Sequence, residues 1–181
     1  PFNALPRGTS RILLRRLVVA DLPTFQAYRH DPDVGRYQGW QRQSDDDATR
    51  FLAQMSAVDN FPPGAWVQLG IARRTTNELI GDVGVCVGAD GERAEVGFTI
   101  VGDAQGARLG TEAVRLLVSI IFEHTHVAAI VAITDERNVP AHRLLRKVGM
   151  RQVETVRTVF RGRAVSTSGR SREPTPVALR V

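Results

Sequence analysis

The chain alternates between apolar stripes of period two and period three to four. The order of these patterns predicts its elements. Residues 11–19 read as a first strand. Asp21 then caps a helix over 21–30, with Pro23 in the first turn, where proline is tolerated. Asp31-Pro32-Asp33 ends it. Ser44, followed by Asp45, Asp46 and Asp47, is an N-terminal cap with an acidic first turn. Ala48, Phe51, Leu52, Met55 and Val58 mark one helical face to about residue 57. Strand-like runs follow at 65–73, 78–88 and 93–101, with turn residues Thr76-Asn77 and Ala89-Asp90-Gly91 between them. A helix over 107–124 and a buried β-branched strand over 127–134 come next. Asn138, Pro140 and Gly149 are placed as cap, first-turn proline and terminator of another helix. Met150–Phe160 is the last strand.

This order, β-α-α-β-β-β-α-β-α-β, predicts one α+β domain. Its core is a mixed, largely antiparallel sheet of about six strands with helices on both faces. A ligand enters such a sheet where neighbouring strands diverge, here between strands 93–101 and 127–134.

The most informative stretch is Asp103-Ala104-Gln105-Gly106-Ala107-Arg108-Leu109-Gly110-Thr111-Glu112-Ala113. A glycine-containing turn leaves a strand and opens an apolar helix. Backbone N–H groups without intrahelical acceptors collect there, reinforced by the helix dipole, and a diphosphate suits them. No Gly-Lys-Ser/Thr follows, so this is not a P-loop. The glycine spacing is not that of a dinucleotide fingerprint either.

Composition narrows the class. Hydrophobic residues make up 43% and charged residues 24% of 181 residues, as in a globular domain. No run is long enough to span a membrane, and no secretory leader pattern is visible, so a cytoplasmic protein is expected. The single cysteine, Cys86, excludes an internal disulfide and reads as a buried structural thiol. The four histidines show no zinc-ligand spacing, and no metal is expected. Net charge is +5, but the arginines concentrate at the two ends. No basic helix is interleaved with aromatics, so an anionic ligand is a better partner for this charge than nucleic acid.

The segments Leu14-Arg15 to Asp21-Leu22, Ala94-Glu95-Val96-Gly97-Phe98, Gln105 to Ala113, and Asn138-Val139-Pro140-Ala141 through Gly149-Met150 occur in an order that resembles the GCN5-related N-acetyltransferase superfamily. Within it the chain is similar to the ribosomal-protein-alanine N-acetyltransferase branch and its small-molecule relatives. The resemblance implies acetyl-CoA as cosubstrate and a primary amine as acceptor, on a protein N-terminus or a small molecule. The family's pyrophosphate motif is Gln/Arg-x-x-Gly-x-Gly/Ala. Here Gln105 and Gly110 fit and Arg108 replaces the middle glycine. Ile100, Val101, Gln105, Gly106, Ala107, Arg108, Leu109, Gly110, Thr111 and Asn138 are therefore the expected cosubstrate-binding residues. Arg108 can donate its N–H if its φ is negative, and its side chain can reach out to phosphate. Backbone N–H groups near Ile100 and Val101 are expected to polarise the thioester carbonyl.

Glu95 is the expected catalytic base, because an amine is an ammonium ion near neutrality and must lose a proton before it attacks. The bland alternative is a strand charge paired with a neighbour. Many relatives carry a serine where this chain has Ala141, and His142 lies one position round the helix, so no dedicated acid is expected for the thiolate. Tyr37, Trp40 and Phe61 could line the acceptor site, although packing explains each as well. A degenerate, catalytically weak CoA-binding homologue is the alternative reading. Residues 1–10 read as an extension, 11–163 as the domain, and 164–181 as a disordered basic tail in place of the family's final strand. An open sheet edge there would favour a homodimer.

Overall fold

In the computed structural model, residues 5–155 and 176–180 are described. The elements are β1 (Arg7–Gly8), β2 (Ile12–Arg16), α1 (Leu22–His30), α2 (Pro32–Gly35), α3 (Asp45–Ala57), β3 (Trp66–Arg73), β4 (Leu79–Val87), β5 (Arg93–Ile100), α4 (Leu109–His124), β6 (Ala129–Asp135), α5 (Val139–Val148), β7 (Arg151–Thr155) and β8 (Pro176–Arg180). They build one eight-stranded sheet in the order β1-β2-β3-β4-β5-β6-β8-β7. Only β5 and β6 run parallel; every other neighbouring pair is antiparallel.

The strand alternation divides the sheet into two faces. On one, Leu14, Leu69, Val83, Val85, Ala94, Val96, Ile130 and Ala132 pack against Leu109, Ala113, Leu117, Ile120 and Ile121 of α4 and Leu145 of α5. On the other, α1 and α3 bury Phe25, Tyr28, Ala48, Leu52 and Met55 with Leu17 and Leu79. The two cores explain why the amphipathic period was clear in α3 and α4.

Ser44 caps α3 by accepting from Asp47 N at 3.1 Å. Gly149 ends α5 at φ 103°, a conformation that favours glycine. Asp21 departs from its expected role: its side chain does not cap α1. It accepts from Val18 N and forms a two-point ion pair with the Arg15 guanidinium at 2.8 Å. Asp31 ends α1 as expected and also caps the short helix α2 by accepting from Asp33 N at 2.8 Å.

The C-terminal expectation needs a larger correction. Pro176–Arg180 is a strand, inserted between β6 and β7 and paired with both. The final strand is therefore present, and with the two-residue β1 it brings the sheet to eight strands, mixed and largely antiparallel as expected. Its five residues gain two hydrogen-bonding neighbours, which offsets a composition with little strand preference of its own. The same strand covers the β6 edge on which a partner chain was expected. The rest of the expected tail and the end of the 150–160 strand lie outside the described residues.

Candidate active site

β5 and β6 pair only from Arg93↔Ala129 to Val96↔Ala132. Beyond that point β5 continues along β4 to Ile100, while β6 continues along β8 to Asp135. The two parallel strands thus diverge into a slot. The slot opens into a cavity of ≈ 510 Å³ lined from β5, β6, α2, the α4 N-terminus and α5. This is where the topology placed a ligand site.

The register fixes which backbone groups face the slot. Val101 N–H donates to Ile80 O at 3.0 Å. Val101 is therefore engaged with β4, which removes it from the expected carbonyl donors. Ile100 stands opposite Gly81 in the adjacent pair, whose N–H points away from β4 by antiparallel alternation. Its N–H faces the slot. The carbonyls of Ile100 and Phe98 on the same edge accept from Gln105 Nε2 at 2.9 Å and from Gln38 Nε2 at 3.1 Å.

The turn after β5 ends at the α4 N-terminus. Gly106 has φ +78° and open space where a Cβ would stand. Glu112 N makes the first helical bond, to Arg108 O. The N–H groups of Leu109, Gly110 and Thr111 therefore have no intrahelical acceptor. Among the described residues no side chain caps this end, whereas Ser44 and Asn138 cap α3 and α5. An uncapped amide cluster beside a cavity fits a diphosphate.

Arg108 holds φ +64° and ψ 10°, so the condition of a negative φ is not met. The chain adopts the left-handed conformation that glycine takes most easily and bears its steric cost with an arginine. The side chain is exposed and forms no ion pair among the described residues. Gly110 is required for a different reason: a Cβ there would stand 2.8 Å from Leu144 Cδ1 and 3.1 Å from Ile100 Cγ1. Its absence lets α4 press against α5 and β5.

A second layer, invisible in the sequence motifs, locks this turn. Arg11 Nη1 donates to Ala107 O at 3.1 Å, and Arg11 Nε to Glu112 Oε1 at 2.8 Å. Thr9 Oγ1 donates to Glu112 Oε2 at 2.8 Å. Burial alone pushes the Glu112 carboxyl pKa up; the bonds from Arg11 and Thr9 outweigh it and hold the carboxyl below its ordinary range. An acidic residue in a helical first turn was the only local signal.

Glu95 is half-buried on β5 and lines the cavity on the face covered by α1 and α3. It stands opposite Cys86 on β4. Burial, followed by the Glu95 charge, pushes the Cys86 thiol up, and Cys86 itself is half-buried rather than fully enclosed. Asn138 Oδ1 accepts from Ala141 N at 3.2 Å, the expected cap. His142 Nε2 lies 3.1 Å from Asp135 O and so is turned to the β6 end. Of the three aromatics, Tyr37 lines the cavity. Trp40 stacks on the Arg29 guanidinium at 4.2 Å, and Phe61 packs on the main core.

Residues 11–151 match the acetyltransferase (GNAT) domain family, and the chain belongs to it. It is 28% identical over 151 residues to the N-acetyltransferase YoaA of Bacillus subtilis, covering 82% of this chain and 84% of that protein. Its fold matches the GNAT-family acetyltransferase of Bacillus anthracis at a TM-score of 0.77 with 17% identity, over 94% of each chain. It matches the spermidine N-acetyltransferase of Vibrio cholerae, solved with CoA and spermine, at 0.77 with 15% identity, over 96% of each chain. At these identities the two structures establish the fold. No helix among the described residues is long and apolar enough to cross a membrane.

Proposed function

We propose that this chain transfers an acetyl group from acetyl-CoA to a primary amine by direct attack on the thioester. The observation that carries this reading is the uncapped α4 N-terminus at the mouth of a slot that has Glu95 on one wall. The free N–H groups of Leu109, Gly110 and Thr111, with Gly106 giving the backbone room, suit the pyrophosphate. Gln105 and Ala107 hold the turn through their bonds to Ile100 and Arg11. Arg108 presents its guanidinium to the phosphates from the turn itself. Asn138 borders the slot midway.

Glu95 accepts the proton from the incoming ammonium, directly or through a water. The Ile100 N–H, five residues further along β5, is a backbone donor to the cosubstrate on the phosphate side of the slot. Glu95 acts before the carbon–sulfur bond breaks. Acetyl-CoA supplies the activated acyl group.

The acceptor enters from the α1/α3 face, past Tyr37 and Glu95. A protein N-terminus and a small-molecule amine both meet the chemistry. The spermine-bound neighbour supports a small polyamine as one member of that class. A non-catalytic CoA-binding role is favoured by Arg108 alone, since the left-handed arginine strains the turn. Calorimetric titration with acetyl-CoA, followed by thioester consumption across peptides and polyamines, separates these readings. Micromolar binding with turnover supports the transferase. Binding without turnover on any amine supports the degenerate form, and no binding removes both.

A further inference from the structure

Thr134 lies on β6, two residues beyond Ala132, where pairing with β5 ends. It is only 8% exposed, yet it lines the slot together with Ala141 and Leu145 of α5. Among the described residues its hydroxyl has no hydrogen-bond partner, and it is not one of the enclosed unpaired atoms, so it stays open to the slot. A hydroxyl that lines the slot without a protein partner is available to donate to a ligand bound there.

Alternation places Thr134 on the same face as Ile130 and Ala132, towards α4 and α5. Glu95 faces the other side of the sheet. The amine would thus be deprotonated on one face and the leaving sulfur would depart on the other, with the divergence of β5 and β6 between them. The neighbouring groups on the sulfur side are engaged or apolar. Asn138 Oδ1 is held by Ala141 N, His142 Nε2 lies against Asp135 O, and residue 141 is an alanine. Two other nearly buried threonines line the cavity at other places. Thr111 is in the first turn of α4, at the phosphate end, and Thr99 pairs with Asp82 on the α1/α3 face.

We propose that Thr134 is a catalytic residue that donates a hydrogen bond to the departing sulfur, a role that rests on the acetyl-CoA reading above. The amine nitrogen forms its bond to the acetyl carbon and gives its proton to Glu95. Collapse of the tetrahedral adduct breaks the carbon–sulfur bond, and the electron pair leaves with sulfur. Thr134 Oγ–H donates to that thiolate and keeps its own proton. Solvent protonates the thiolate after release.

The test is the ionisation of CoA bound to the full chain, followed by the ultraviolet absorbance of the thiolate during a pH titration. The wild type and Thr134→Ser should hold the bound thiol about one pH unit below free CoA, equivalent to about tenfold tighter binding of thiolate than thiol. Thr134→Val should return it to the free value or above. Calorimetry at alkaline pH with CoA and desulfo-CoA gives the second readout. Thr134→Val should lose about tenfold in affinity for CoA and keep its affinity for desulfo-CoA. Identical titrations for wild type and Thr134→Val overturn the proposal, as does an equal loss for both ligands, which marks a packing role. If the wild type binds both ligands and Thr134→Val changes nothing, only Thr134's role falls. If the wild type binds neither, the acetyl-CoA reading falls and takes this role with it.

Discussion

The side-chain amide of Gln105 donates to the main-chain carbonyl of Ile100 at 2.9 Å, so the middle of the turn is tied to the last residue of β5. The bond closes the turn into a ring that aims the α4 amides at the slot. A ligand meeting this turn does not have to order it first, and preorganisation of that kind contributes to affinity. Gln105→Ala should leave the fold intact and weaken CoA binding about fivefold, in keeping with a hydrogen bond worth about 1 kcal/mol. Calorimetry checks it; unchanged affinity would mean that the turn holds its shape through Arg11 and Ala107 alone.

Arg108→Gly separates stability from binding. A non-glycine residue in the left-handed region costs about 1–3 kcal/mol, of which the greater freedom of unfolded glycine takes back about 0.4–1 kcal/mol. The variant should therefore be about 1 kcal/mol more stable in a denaturant melt. It should also bind CoA about tenfold more weakly, because a charge-assisted contact to phosphate is lost. Raising the salt concentration should narrow the affinity gap. A variant that gains both stability and affinity would show that the arginine obstructs the turn.

Much of the site was readable because its parts are local. Asn138, Pro140 and Gly149 sit at fixed offsets within one helix, and Ser44 with its acidic turn does the same for α3. The slot followed from element order, since a strand–helix–strand crossover after an antiparallel meander leaves one parallel pair. The missed features depend on distant residues. Arg11 and Glu112 are 101 positions apart, and Gln38 reaches Phe98 across 60. No periodicity reports such a pair. β8 was missed because Pro176–Arg180 follows a Ser- and Arg-rich stretch and takes its strand form from β6 and β7 on either side. The Arg108 dihedral was left open because no sequence pattern reports the φ of a single turn residue.

Acid should loosen the turn through Glu112. Its carboxyl titrates below the ordinary value of 4.5 in the folded chain, owing to Arg11 and Thr9. The stabilisation is thus fully present above about pH 4.5 and is lost as pH falls through the folded value. Glu112→Gln should remove that part of the acid sensitivity and cost about 0.5 kcal/mol at neutral pH, modest because Arg11 is half exposed. Denaturant melts of both chains between pH 3 and 7 measure it. Parallel pH profiles would show that Glu112 contributes nothing through its charge.

Glu95→Gln tests the base without disturbing the walls of the slot. Glutamine keeps the volume and the hydrogen-bonding reach of the side chain but cannot take a proton near neutrality. Glu95 is remote from the α4 amides in the sheet register, since it sits five residues before Ile100 on β5. CoA affinity should therefore change less than twofold. Turnover with a competent amine should fall by about 10²–10⁴, the usual contribution of a positioned general base. The fall should be smaller at alkaline pH, where more of the acceptor is already neutral and less depends on a protein base. A loss of rate that stays constant with pH, joined by weaker CoA binding, would assign Glu95 to the architecture of the strand instead.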